Sequence, residues 1–96
     1  MSQAIATTAR IGEGCELGHF VVIEDNVQIG KRCRIGHQVV IHRGTILGDD
    51  VRIDAGTVIG KQPLRSKRSI FQDEKELPPA RLADGCMVGA LVVIYA

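Results

Sequence analysis

The side chains best suited to chemistry are three histidines, His19, His37 and His42, and four cations, Lys61, Arg65, Lys67 and Arg68. Imidazole changes protonation near neutral pH, so a histidine in a partly desolvated seam can take a proton from a hydroxyl or an ammonium group. As exposed corner residues the same histidines would do no chemistry. The cations offer charge-assisted hydrogen bonds to phosphate oxygens, or pair with Asp73, Glu74 and Glu76 of their own segment. Cys15, Cys33 and Cys86 lack the Cys-x-x-Cys spacing of a metal site and read as inward-facing core thiols. No phosphate-cradling glycine motif is present, because the glycines follow a different rhythm.

That rhythm positions everything else. An aliphatic residue returns at every sixth place from Ile5 through Ile11, Leu17, Ile23, Ile29, Ile35, Ile41, Leu47 and Ile53 to Ile59. Strands repeat every two residues and helices every 3.6, so a strict six over ten repeats describes a solenoid whose turns recur at fixed intervals. Four places after each aliphatic comes a second small or β-branched residue, among them Val21, Val27, Val39 and Val51, giving each hexad two inward positions. Glycine often follows the aliphatic directly, as at Gly12, Gly18, Gly30, Gly36, Gly48 and Gly60, where it suits a corner.

If three hexads make one coil, residues eighteen apart stack. Glu13, Lys31 and Asp49 then fall in one outward column and Asp25 lies under Arg43, alternations that favour this register. The three cysteines share one inward column. The hexads Leu17 to Val22, Ile35 to Val40 and Ile53 to Val58 end in Val22, Val40 and Val58, an outward apolar stripe beside Phe20 that marks a subunit interface. His19 and His37, eighteen apart, are expected on that same wall.

Between Lys61 and Ala80 the rhythm breaks, in a segment basic at its start, acidic at its centre and closed by Pro78 and Pro79. It reads as an inserted loop of the kind that more often carries function than not. The hexads resume at Leu82, Val88 and Ile94; if the loop replaces one hexad of the first wall, Val93 extends the valine column. The chain stops at Ala96 in mid-hexad without a visible cap, so its last coil is expected to be covered by a partner, or the chain to be a truncated member of a longer family.

The hexad pattern resembles the left-handed parallel β-helix family, and the resemblance covers nearly the whole chain. It implies an all-β triangular solenoid of about four to five coils, one domain over residues 1–96 with the inserted loop at 61–80; the handedness comes from the family alone, since parallel crossovers are otherwise right-handed. Many members are acyltransferases that use acyl-coenzyme A or an acyl carrier protein and assemble as trimers. The segment Ile35-Gly36-His37-Gln38-Val39-Val40-Ile41-His42 is similar to bacterial nucleotide-sugar acetyltransferases, which implies His37 as base, although Gln38 stands where an acidic partner sometimes follows. The loop is similar to those of sugar acyltransferases, which implies that Lys61, Arg65, Lys67 and Arg68 hold phosphates of a nucleotide sugar or coenzyme A. Acetyl-coenzyme A or another acyl-coenzyme A would be the donor, with an amino sugar or nucleotide sugar as acceptor, and no metal is expected. The spacing of His37 and His42 also resembles the zinc-ligand pair of gamma-class carbonic anhydrases, but Glu24 stands where the third ligand would be, and His19 lies elsewhere in its hexad. A non-catalytic interaction module is the third alternative.

The whole chain bounds these readings. At 96 residues it is one domain at most. A net charge of +1 removes the usual electrostatic argument for nucleic acid. No apolar run approaches a membrane span, and Met1-Ser-Gln-Ala-Ile lacks the basic start and apolar stretch of a signal peptide, so a soluble cytoplasmic protein is expected. The resemblance implies a homotrimer, with the wall of Val22, Val40, Val58 and Val93 as its expected interface.

Overall fold

The computed structural model describes residues 3–62 and 78–95. Within them the chain winds through short strands that stack into three parallel sheets. Sheet 1 contains Ala4–Ile5, Val22–Ile23, Val40–Ile41, Val58–Lys61 and Val93–Tyr95; sheet 2 contains Arg10–Ile11, Gln28–Ile29, Ile46–Leu47 and Arg81–Leu82; sheet 3 contains Glu16–Leu17, Arg34–Ile35, Arg52–Ile53 and Met87–Val88. This is the left-handed parallel β-helix of hexapeptide repeats, three strands to a coil. No helix is long and apolar enough to cross a membrane among the described residues.

Each strand places one residue outward and the repeating aliphatic inward. Ile23, Ile29, Ile35, Ile41, Leu47, Ile53 and Ile59 are buried, as are Val21, Val27, Cys33, Val39 and Val51 at the second inward position. Both inward positions therefore stand as the six-residue period requires. The axial neighbours of these side chains are supplied by the next coil, so the core is a stack of aliphatic layers with no aromatic among its buried members.

The corners differ from expectation in an instructive way. The left-handed residue is the third after the aliphatic and, except at Gly60, not the glycine directly after it: Phe20, Asn26, Arg32, Gln38, Asp50 and Leu91 all have φ between 57° and 59°. A non-glycine residue in that region costs about 1 kcal/mol, so the repeat tolerates the strain at corner after corner. The glycine directly after the aliphatic answers a different demand. A Cβ on Gly36 would come within 2.8 Å of the Ala55 nitrogen one coil on, so this position is glycine because two backbones approach closely.

Placing the strands also redraws the walls. A hexad counted from its aliphatic begins on one sheet and ends on the next, so Leu17 lies in sheet 3 while Val22 lies in sheet 1. His19 and His37 consequently occupy the corner between sheets 3 and 1 and not the face of either. The valine column is as expected: Ala4, Val22, Val40, Val58 and Val93 are paired in register on the outer face of sheet 1, and Val93 continues it across the insertion. The insertion itself is narrower than 61–80. Lys61 belongs to the strand Val58–Lys61 and pairs with Tyr95 after a register shift, and Ala80 is buried, its carbonyl accepting from the Ile46 N–H at 3.0 Å.

Polar columns stabilise the stacking, though not all the expected ones. Arg32 and Asp50 form a two-point ion pair at 2.9 and 3.0 Å, and Arg34 lies 3.6 Å from Glu16. Asp49 accepts from the backbone N–H of Lys31 at 2.8 Å instead of pairing with its ammonium. The Arg32 guanidinium, by hydrogen bond and charge, holds the Asp50 carboxyl below its ordinary range. All three cysteines are free, in one inward column with Val51; burial pushes the Cys33 thiol up, which makes it a poor nucleophile.

Candidate functional site

The histidines fall into two unlike settings. At the corner between sheets 3 and 1, His19 and His37 stack with ring centroids 5.1 Å apart and planes within 6° of parallel. The Nδ1 atom of His37 accepts a 2.7 Å hydrogen bond from the His19 backbone N–H. A ring that accepts at Nδ1 carries its proton on Nε2 when neutral, so His37 presents an N–H donor outward. Both residues are exposed.

On the far side of sheet 1, where the chain leaves the sheet toward sheet 2, the arrangement reverses. His42 and Glu24 occupy the same place in successive coils, directly after their inward isoleucines, and His42 Nδ1 lies 2.9 Å from Glu24 Oε1. The carboxylate oxygen also accepts from the Arg43 backbone N–H at 3.0 Å, which fixes its position. A carboxylate demands a donor, so the neutral imidazole holds its proton on Nδ1 and leaves Nε2 as a basic lone pair. His42 is 31% exposed and Glu24 42%, enough for a ligand to reach the ring while the pair is partly shielded from water.

One coil above His42 is Gly60, at φ 80°, where a Cβ would collide with the hydroxyl of Thr45. Glycine is required here because the backbone turns left-handed and presses onto the coil below. Lys61 follows, half-buried, at the root of the insertion. Glu24, His42, Gly60 and Lys61 thus line the edge of sheet 1 from which the inserted segment departs. Thr45 lies beneath them, fully buried, with no hydrogen-bond partner for its hydroxyl among the described residues.

The structure therefore brings His19 together with His37 and Glu24 together with His42, but keeps the two pairs on successive corners. Among the described residues, no three His, Cys, Asp or Glu side chains gather where one metal ion could be held. Lys61 stands next to His42's edge; Arg65, Lys67 and Arg68 lie outside the described residues. Glu24 is the residue that sequence reasoning passed over. It was visible only as a place where a third histidine was missing, whereas its spacing of eighteen from His42 is the register of a stacked acid–imidazole pair.

A shallow groove of about 630 Å³ follows the outer face of sheet 3. Its strands present Glu16, Arg34, Arg52 and Met87 in succession, and His37 and Asp54 stand along one edge.

Residues 8–43, the stretch that holds the His19–His37 and Glu24–His42 pairs, match the family described as bacterial transferase hexapeptide (six repeats). Comparison with curated proteins gives no match.

Proposed function

We propose, from the premise that the chain is a hexapeptide-repeat protein, that it is an acyl-coenzyme A-dependent acyltransferase whose general base is His42, oriented by Glu24. The 2.9 Å contact between Glu24 and His42 carries this reading, because among the described residues it is the one place where an imidazole is held by a carboxylate with its second nitrogen left basic. An acceptor amine or hydroxyl attacks the thioester carbonyl carbon as His42 Nε2 takes its proton. The C–S bond then breaks, and the imidazolium returns the proton to the departing thiolate. Glu24 stabilises the imidazolium that forms between these steps.

The acceptor is an amino sugar or nucleotide sugar, and Lys61 at the root of the insertion is placed to attract a phosphate of acceptor or donor. His19 and His37 are expected to bind or to shape the corner, since His37 has given its Nδ1 lone pair to the backbone. The active form is a homotrimer joined through the sheet 1 face that carries Val22, Val40, Val58 and Val93; Val93 is 47% exposed in the single chain. The three unpaired cysteines accord with a reducing, cytoplasmic setting.

Thiol release from acetyl-coenzyme A in the presence of candidate amino sugars tests the activity. Turnover that disappears in His42→Asn and survives in His37→Ala is expected. Turnover unaffected by His42→Asn overturns the assignment, and the absence of both turnover and thermal shift with any acyl-coenzyme A returns the chain to a non-catalytic interaction module.

A further inference from the structure

The groove on sheet 3 holds an arrangement that the acyl-transfer reading does not use. Arg34 and Arg52 are directly opposite one another on adjacent parallel strands, in register. Neighbouring strands lie about 4.8 Å apart, and like charges at that separation on one face are destabilising. Arg34 has Glu16 on its other side, but the two are 3.6 Å apart and both largely exposed. Arg52 has Met87 on its other side and makes no ion pair among the described residues. The remaining acid of the groove, Asp54, directs Oδ1 to the backbone N–H of Ala55 at 2.8 Å.

The neighbouring edge is suited to the same task. Gly18, Gly36 and Gly89 leave it without side chains, which opens room beside the two guanidinium groups. His37 lines the groove, and with Nδ1 occupied by the His19 N–H it offers Nε2–H as a donor. Two guanidinium groups carried on adjacent strands and an N–H donor around an open edge form a site for several anionic oxygens, and such an anion relieves the repulsion between the arginines.

We propose that this groove is a binding site for a phosphate or diphosphate group of a small molecule, held by Arg34, Arg52 and His37. It lies on a different face from Glu24 and His42 and stands whether or not the chain transfers acyl groups. Arg52 is kept at some expense in stability for the sake of the ligand.

The test is the melting midpoint of the full chain with inorganic phosphate, pyrophosphate or ADP at low salt, for wild type, R34Q, R52Q and R10Q; Arg10 is an exposed arginine on sheet 2. Pyrophosphate or ADP is expected to raise the wild-type midpoint, with R34Q and R52Q binding about tenfold or more weakly and R10Q behaving as wild type. A larger rise with ADP than with pyrophosphate assigns the source to a nucleotide; equal rises assign it to the diphosphate alone. Without ligand, R52Q should melt at the same temperature as wild type or higher. No rise with any of the three anions, a rise that persists in R52Q, or an R52Q protein that melts lower without ligand each overturns the proposal.

Discussion

Two histidines five residues apart, on successive corners of one solenoid, are set to opposite purposes. His37 receives a backbone N–H at Nδ1 and so has given its lone pair to the stacking of coils. His42 gives an N–H to Glu24 and so keeps its lone pair for a ligand. Nothing in residue type separates them. The difference lies in what stands one coil below, a backbone donor under one ring and a carboxylate under the other. In a stacked fold, the partner of a catalytic candidate is found by reading along the stack.

Replacement separates the two most sharply. His42→Asn should lower kcat/KM for acyl transfer by roughly 10²–10⁴-fold, the usual worth of a general base, with little change in melting temperature. His37→Ala should leave kcat within about twofold, a small change for a residue outside base catalysis. Steady-state thiol release measures both, and similar losses in the two variants would erase the distinction.

Glu24→Gln comes next. It keeps an acceptor near His42 Nδ1 but removes the charge that stabilises imidazolium, so kcat should fall roughly tenfold while KM changes little. The same steady-state series reads it.

A smaller effect is expected in stability. His37→Ala leaves the His19 N–H to solvent and should cost about 0.5–1.5 kcal/mol in denaturant unfolding. Nitrogen NMR gives the companion result at neutral pH: proton on Nε2 for His37 and on Nδ1 for His42. The same tautomer at both sites would break the comparison.

The smallest concerns the corner that carries Arg32 and Asp50. Asp50 is held below the ordinary carboxylate range by Arg32, so their pair contributes stability above that range and loses it as pH falls through the lowered folded value. Both groups are exposed, and Arg32→Gln should flatten the acid limb of the stability curve only slightly.

Much of the fold was legible because buried positions repeat and burial is what hydrophobicity records. The inward columns, the placement of Cys15, Cys33 and Cys86 among them, and the extension of the valine column to Val93 all follow from the hexad rhythm. The left-handed corners were not legible. Phe20, Arg32, Gln38 and Leu91 occupy positions where residue preference points to glycine or asparagine, and the stack imposes the conformation over that preference. The candidate site was half legible. His42 stands out by type, but Glu24 occupies the place expected of a third histidine ligand, and only the stacked structure shows it as a carboxylate partner of His42. Charge columns misled for a related reason: spacing brings Lys31 and Asp49 together, yet the carboxylate is taken by a backbone N–H that no sequence pattern displays.

The insertion has a kinetic consequence. Earlier coils close by pairing residues eighteen apart, whereas the last coil brings together residues thirty-five apart, as in the contact of Val92 with Thr57. Doubling the closed length adds about 0.6 kcal/mol of entropic cost before any contact forms. The first three coils can therefore zip in sequence, with the fourth joining late. Shortening the insertion should speed that final step and leave unfolding of the earlier coils almost unchanged.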